Sequence, residues 1–133
     1  MTRAIDASRG KDYLTKAKNS LRMAKIAIQE KAYDNAVMSA IHGAINALDA
    51  LTTSYLGKRA SGEHTDALAL IKGILNQREY PETAKQFSSL LSLKNASEYQ
   101  PDLMSHSDAE KSVKWAERII SRVEEKLGGL EHS

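Results

Sequence analysis

The sequence predicts an all-α protein, an antiparallel up-and-down four-helix bundle with one additional short helix. Apolar residues recur in steps of four and three along three segments, the spacing that lines one face of a helix. The chain has two prolines, seven glycines and few β-branched runs, a composition that favours helices. Short breaks between segments place consecutive helices antiparallel. The 133 residues suffice for a single domain, with an ordered core expected over about residues 8–127.

Composition excludes several classes of protein. The absence of cysteine rules out disulfides and thiolate metal sites, and it agrees with a reducing cytoplasm, where we expect the protein. The N-terminal residues lack the apolar core of a signal peptide, and no run approaches the ~20 apolar residues of a membrane span. The net charge of +2 is too small to indicate nucleic-acid binding by itself.

The first helix is expected from about Ser8 to Glu30. Its apolar residues form a seam for the bundle core: Leu14, Ala17, Leu21, Ala24 and Ile28. The opposite side is basic, and Lys18, Arg22 and Lys25 align on one edge. Two interpretations stay open for this edge, a solvated helix face and a surface that contacts phosphate.

A short turn at Lys31 and Ala32 leads to a second helix, Tyr33 to Leu56, which we expect to be the central strut. The core stripe consists of Val37, Ile41, Ala44, Leu48, Leu51 and Tyr55. A stripe of small residues, which lets another helix approach closely within or between chains, consists of Ala36, Ala40, Gly43, Ala47, Ala50 and Ser54. The one polar strip, where function is expected first, consists of Asn35, Ser39, His42, Asn46, Asp49 and Thr53.

A polar segment with two glycines follows at residues 57–64, and we expect it to be a mobile loop. Thr65 is a plausible N-cap for a short third helix over about residues 66–76. Pro81 fits the first position of a fourth helix, because its missing N–H would be unpaired there in any case. That helix is expected to run to about Tyr99 and to turn polar near its end.

The fifth helix has a strong start signal, the capping box formed by Ser107 and Glu110. Its seam residues are Ala109, Val113, Ala116, Ile120, Val123 and Leu127. Trp115 and Ile119 lie beside the seam, so they either widen the core or form an apolar edge for a partner. Glycines 128 and 129 are expected to end the helix, which leaves residues 128–133 as a disordered tail.

The histidines and carboxylates do not predict a metal centre. A di-iron bundle needs Glu-x-x-His pairs on two helices, and the sequence contains none. The four histidines lack the spacing of metal ligands. No glycine-rich phosphate loop and no cysteine nucleophile are present, so we expect neither a metal nor a cofactor.

Two polar groups could meet if the second and fourth helices are neighbours. From the second helix these are His42, Asn46 and Asp49, and from the fourth they are Lys94, Asn95, Glu98 and Tyr99. Structural interpretations compete with a shared cleft. Lys94 and Glu98 are spaced to form a surface ion pair, Tyr99 could cap the core, and His42 could be a hydrogen-bonded structural histidine.

The chain resembles the HEPN superfamily of small helical bundles, in particular the stand-alone prokaryotic proteins. Three stretches carry the resemblance, and together they cover nearly the whole chain. They are AKNSLRMAKIAIQEKAYDNAVMSAIHGAINALDALT, LKNASEYQP and SHSDAEKSVKWAERIISRVEEKL. The first is similar to the family's opening helix pair, the second to the end of its penultimate helix, and the third to its capped final helix.

The resemblance implies a functional motif at residues 94–99. HEPN ribonucleases carry Arg, a polar residue, then His after four to six residues, and two such motifs meet across a dimer to cut RNA without metal. Lys94 stands at the Arg position, Asn95 at the polar one and Tyr99 at the His position. This Lys-Asn-Ala-Ser-Glu-Tyr segment is closer to the family's Arg-x-x-Ala-Asp-Tyr form. Lysine lacks the bidentate fork of arginine, and tyrosine is a poor acid–base group at neutral pH.

These departures favour a binding module over an enzyme. The resemblance implies a homodimer that binds RNA or a nucleotide, and a partner nucleotidyltransferase in a toxin–antitoxin-like pair. In that interpretation Lys94 holds phosphate together with the basic edge of the first helix. The alternatives are a metal-independent ribonuclease in which His42 or Tyr99 replaces the usual histidine, and a purely structural dimerisation protein.

Overall fold

The structure, a computed structural model, describes residues 2–60, 64–99, 101 and 103–131. It confirms the all-α bundle. The helices are α1 (Gly10–Gln29), α2 (Tyr33–Leu56), α3 (His64–Lys72), α4 (Glu79–Tyr99) and α5 (His106–Glu131). A 3-10 turn (Ala7–Arg9) precedes α1, and two short strands, β1 (Thr2–Ala4) and β2 (Lys58–Ala60), complete the described part. No helix in that part is long and apolar enough to cross a membrane.

Side-chain contacts fix the direction of each long helix. The rings of Tyr33 and His106 pack at a tilt of 59° with centroids 5.2 Å apart, and the Tyr55 hydroxyl donates to the Lys126 carbonyl at 2.9 Å. Both ends of α2 therefore lie beside the matching ends of α5, so the two helices are parallel. Glu79, the first residue of α4, pairs with Lys126 at 2.6 Å, which makes α4 antiparallel to both. Because the Lys31–Ala32 turn is short, α1 is antiparallel to α2 as well.

α2 is the central strut, and its bounds match the prediction. Its small-residue stripe packs inside the chain: the alanines of that stripe are fully buried. A Cβ added at Gly43 would lie 3.3 Å from the Ala17 carbonyl of α1. The close approach therefore joins α2 to α1, and this stripe is not a surface for a second chain. Of the two interpretations of Ile119 and Trp115, the structure shows the core: Ile119 is fully buried and Trp115 packs against the core.

The predicted mobile loop is partly wrong, because residues 58–60 form a strand. β2 pairs antiparallel with β1, with Thr2 opposite Ala60. Gly57 takes the left-handed conformation with φ 63° and ends α2, and its carbonyl accepts from Ile5 N–H at 2.9 Å. The partner of β2 lies more than fifty residues earlier in the chain, so local composition gives no sign of the pairing. Residues 61–63 lie outside the described residues.

Two predicted helix starts are wrong, and for α4 the structure shows which residue makes the cap instead. Thr65 lies inside α3, which begins at His64 and ends at Lys72, four residues before the predicted end. The cap before α4 is Asn76: its side-chain oxygen accepts from Glu79 N–H at 2.8 Å, and the Glu79 carboxylate accepts from Asn76 N–H at 3.1 Å. Pro81 is consequently the third residue of α4 and not the first.

The ends of α5 also differ from the prediction. The capping box is Ser105 with Asp108, whose side chains accept from each other's backbone N–H at 3.0 Å. Ser107 and Glu110 fit the same pattern, but the earlier pair adds two helical residues, His106 and Ser107, with both donors satisfied. Glycines 128 and 129 do not end the helix, which continues to Glu131. The predicted tail is therefore helical over 128–131, and its last two residues lie outside the described part.

Candidate functional site

The last two turns of α4 present the motif segment, which we define as residues 94–99. Lys94 Nζ lies 2.9 Å from Glu98 Oε1, and the two side chains are 24% and 35% exposed. Asn95 is exposed beside them. The ion pair predicted from the i, i+4 spacing is thus formed, and the ammonium group of Lys94 is matched by one carboxylate at the surface. Tyr99 is the last residue of α4, and its side chain lies outside the described residues.

The motif segment and the first turn of α2 lie at the same end of the bundle. The connection that follows α4 is tied to α2, because Met104 N–H donates to Asp34 Oδ1 at 2.9 Å. His106 then packs on Tyr33 at the start of α2. We call this end of the molecule, with the motif segment and the start of α5, the motif end.

His42 and Asn46 lie on the polar strip of α2, one helical turn apart. His42 is exposed. Asn46 Nδ2 donates to the His42 backbone carbonyl at 2.9 Å, a hydrogen bond within α2. The imidazole is therefore accessible to solvent. No hydrogen bond joins either side chain to the motif segment within the described part of the chain.

Asp49 lies in a different environment. It is about 22 Å further along the axis of α2 than Asp34, at about 1.5 Å per residue, and thus toward the end opposite the motif end. Burial raises the pKa of the Asp49 carboxyl from 3.8 to about 6, and the charge of Arg59 from β2 opposes that rise. The structure therefore groups Asp49 with Arg59 and leaves Lys94 with Glu98.

The basic edge of α1 is largely matched by acids of α5. Lys18 Nζ lies 2.6 Å from Glu124 Oε2, and Lys25 Nζ lies 2.6 Å from Glu117 Oε2. All four side chains are about half exposed, so each pair contributes about 0–1 kcal/mol to stability. Arg22 is exposed, and it has no ion-pair partner among the described residues. Of the predicted phosphate contacts, Arg22 therefore keeps the least compensated charge.

Sequence reasoning missed His106 at the motif end. Its Nδ1 lies 2.8 Å from Glu110 Oε1. In a neutral imidazole, a proton on Nδ1 would be donated to Glu110 and would leave Nε2 as an acceptor. A surface cleft of about 270 Å³ is lined there by His106, Ser107, Glu110, Lys111 and Lys114. The His-x-x-x-Glu spacing was visible in the sequence, but a helix start placed at Ser107 put His106 in a loop.

Within the described ranges, no group of three or more histidines and carboxylates is arranged to hold a metal ion. The motif end presents lysines, an amide, hydroxyl groups, the carboxylates of Glu98 and Glu110, and the imidazole that Glu110 orients. Lysine ammonium groups neutralise phosphate charge without the bidentate geometry of arginine.

One comparison with known proteins identifies a family, and a second identifies a related fold. Residues 11–126 match the HEPN domain. No curated protein matches the chain. A solved structure, TT1696 from Thermus thermophilus, superposes with a TM-score of 0.73 at 23% sequence identity. The match covers 89% of this chain and 98% of that one, and at this identity it establishes a shared fold.

Proposed function

Because the chain belongs to the HEPN domain family, we propose that it is a binding module for RNA or a nucleotide, and that the motif end makes the contact. Lys94 takes the phosphate, while Asn95, Glu98 and Tyr99 shape the site around it. His42 extends the contact along α2, and Arg22 with its basic neighbours Lys18 and Lys25 extends it along α1. Asn46 lies about 18 Å beyond Asp34, past the middle of α2, and is left out of the site. Asp49 belongs to the other end of the bundle.

The observation that supports the proposal is the exposure and pairing of the Lys94 side chain. Its side chain is 24% exposed, so the stem is largely covered while the ammonium group reaches the surface. Glu98 is its partner in the structure, and a phosphate can displace that carboxylate because both groups are solvated. Lysine at this position supplies a point charge that suits binding better than stabilisation of a transition state.

A homodimer and a partner nucleotidyltransferase complete the proposal, in the cytoplasm of a prokaryote and in a toxin–antitoxin-like pair. Family resemblance supports both. The small-residue stripe is used within the chain, so the dimer needs another surface. Leu103 is 83% exposed in the connection that follows the motif segment. A second copy that covers Leu103 would bring two motif segments together.

The test is RNA binding as a function of salt. Titration of a mixed-sequence single-stranded RNA at salt concentrations from about 50 to 300 mM gives a slope of log affinity against log salt. Lys94→Ala is expected to reduce the magnitude of that slope by about one per subunit and to weaken binding at low salt. Lys85→Ala is the matched control, because Lys85 is exposed on α4 about half a turn around the helix from Lys94.

Two results would contradict the proposal. One is no RNA or nucleotide binding at about 50 mM salt. The other is an equal loss in the Lys94 and Lys85 variants, since this would show a general charge effect with no site. A stable dimer without any binding would point to the structural dimerisation protein.

The competing function is a metal-independent ribonuclease, and the His106–Glu110 pair is the observation that favours it. A general base needs an imidazole oriented by a second group, and Glu110 gives His106 such an orientation. His42 and Tyr99 are the candidates from the sequence. Incubation of RNA with concentrated protein in EDTA separates the functions: a binding module leaves the RNA intact. Cleavage lost in His106→Gln, His42→Ala or Tyr99→Phe would identify an enzyme and its histidine or tyrosine.

A further inference from the structure

A second cluster of polar side chains lies at the end of the bundle opposite the motif end. It surrounds a surface cleft of about 410 Å³ where the 3-10 turn meets the first two turns of α1. The cleft is lined by Ile5, Asp6, Arg9, Asp12, Tyr13 and Lys16. Arg59 of β2 contacts Tyr13, so the cluster combines residues 5–16 with one residue more than forty positions later in the sequence.

The acids of this cleft are already engaged. Asp6 caps the 3-10 turn, accepting from the N–H and the hydroxyl of Ser8 at 3.0 and 2.9 Å. The backbone hydrogen bond from Ser8 also lowers the pKa of the Asp6 carboxyl, which keeps it ionised for this role. Asp12 pairs with Arg9 at 2.9 Å. The two carboxylates that line the cleft equal its two cations, Arg9 and Lys16, in number. Lys16 is exposed and has no carboxylate partner among the described residues, so its ammonium group is available to pair with a ligand.

Tyr13 links Lys16 to Arg59. Lys16 Nζ and Arg59 Cζ each lie 5.6 Å from the centroid of its ring. Arg59 Nη1 donates to the Tyr13 hydroxyl oxygen at 2.7 Å. The hydroxyl is therefore an acceptor toward Arg59 and keeps its own proton to donate. Within the described part of the chain no acceptor takes that proton, so Tyr13 presents an unused donor beside the ammonium group of Lys16.

Arg59 is also incompletely paired. Its Nε atom is buried and has no hydrogen-bond partner among the described residues. Buried donors are nearly always paired, because an unpaired one has lost its hydrogen bonds to water without replacement. The positive charge behind Tyr13 is thus only partly compensated, with the half-buried Asp49 carboxyl as its nearby counter-charge.

We propose that this cleft binds a phosphate group, which accepts from Lys16 Nζ and from the Tyr13 hydroxyl and is further attracted by Arg59. The donors are one ammonium group and one hydroxyl, with the charge of Arg59 behind them, a set that suits a phosphate group. The ligand is a small phosphorylated compound or the backbone of an RNA. The site does not depend on Lys94, because it lies at the other end of the bundle.

Calorimetric titration with inorganic pyrophosphate at about 50 mM salt tests the site. Lys16→Met is expected to weaken binding about tenfold or more while the thermal unfolding temperature stays unchanged, because Lys16 is exposed and makes no ion pair with any described residue. Lys11→Met is the matched control: Lys11 is exposed on the same helix but does not line the cleft. Tyr13→Phe, checked for folding by circular dichroism, is expected to weaken binding as well, through loss of the hydroxyl donor.

Further variants and probes separate this site from the motif end and one ligand from the other. Lys94→Ala should leave pyrophosphate affinity unchanged. An oligoribonucleotide without terminal phosphate that binds with the same Lys16 dependence identifies the RNA backbone, whereas Lys16 dependence of pyrophosphate alone identifies a small phosphorylated ligand. The proposal is overturned if millimolar pyrophosphate does not bind, if Lys16→Met and Lys11→Met lose equal affinity, or if only Lys94→Ala removes binding.

Discussion

At Asp49 the fold opposes the ionisation of a carboxyl group. Burial raises its pKa from 3.8 to about 6, and the neighbouring Arg59 offsets only part of the rise. Between these two values the folded protein holds a proton on Asp49 that the unfolded chain has lost. The protein therefore gains stability from this group as the pH falls through about 6, and that gain is complete below about 4.

Asp49→Asn is accordingly expected to stabilise the protein at neutral pH and above. The asparagine keeps the shape of the side chain without the buried charge, so the free energy of unfolding should rise by about 1 kcal/mol, after allowance for partial exposure. The advantage should shrink as the pH falls to about 5, where the folded wild type is protonated. Urea unfolding of both proteins across this pH range measures it. If the stabilisation by Asp49→Asn were the same at every pH, the raised pKa of Asp49 would be contradicted.

Glu79 shows the opposite behaviour, because burial is outweighed by its partners. Its side chain is 11% exposed, and it accepts from Lys126 at 2.6 Å and Arg122 at 3.4 Å. Burial raises its pKa, but hydrogen bonds from Lys126 and from the Asn76 backbone lower it by more. One carboxylate thus caps α4 and ties it to α5.

Glu79→Ala is expected to lower the free energy of unfolding by about 2 kcal/mol, since it removes the capping-box carboxylate, leaves Lys126 unpaired and leaves Arg122 with only the longer contact to Glu82. Glu82→Ala is the control. Glu82 also faces Arg122, but at 3.8 Å and with its side chain 54% exposed, so its loss should cost less than about 0.5 kcal/mol. If both variants lower the free energy of unfolding by the same amount in urea, the burial of Glu79 does not increase its contribution to stability.

At the scale of the element, two glycines in helices have opposite surroundings. A Cβ added at Gly10 would overlap Ser54 Oγ and lie 3.0 Å from the Ala50 carbonyl, whereas one added at Gly128 would meet nothing within 4 Å. Gly10 is therefore required for the contact of α1 with α2. At Gly128, within α5, a side chain would meet no neighbouring group, so the packing does not require glycine there.

Gly10→Ala is expected to lower the free energy of unfolding by about 1–3 kcal/mol through overpacking. Gly128→Ala should raise it by about 0.5–1 kcal/mol, because alanine favours the helix. Thermal unfolding measures both. A neutral or destabilising Gly128→Ala would indicate that α5 stops where the sequence first suggested.

The elements show which features of the fold could be predicted from sequence. The bounds of α2 followed from its apolar spacing, since every turn repeats the signal. Helix starts were less certain, because Ser105 and Ser107 both stand three residues before an acid and only tertiary packing chooses between them. β2 was missed because its partner, β1, lies more than fifty residues earlier in the chain. Gly128 and Gly129 were mistaken for a stop because glycine opposes helix formation only weakly.

At the scale of the whole molecule, contacts within one helix could be predicted from the sequence, whereas contacts between elements could not. The Lys94–Glu98 pair was predictable because both residues lie one turn apart on one helix. The proposed common cleft with Asp49 depended on the relative height of two helices, which periodicity does not encode. Arg59 and Tyr13, 46 residues apart, were not found because no local pattern relates them.

Dimerisation is a prediction about the whole molecule. Light scattering with size-exclusion chromatography is expected to give twice the mass of the chain. Leu103→Glu should shift the equilibrium toward monomer by about tenfold or more, because it places a charge in the covered surface. Leu130→Glu is the control, since Leu130 is 39% exposed at the opposite end. Equal effects of the two variants would place the interface elsewhere.

The most direct test of the account is where RNA touches the protein. Backbone amide shifts in ¹H–¹⁵N spectra, recorded during titration with single-stranded RNA at low salt, report the contact residue by residue. The account predicts the largest shifts at residues 94–99 and in the first turn of α5, with both diminished in Lys94→Ala. The proposed contact is wrong if saturating RNA changes the amide shifts of other surfaces and leaves those of residues 94–99 unchanged.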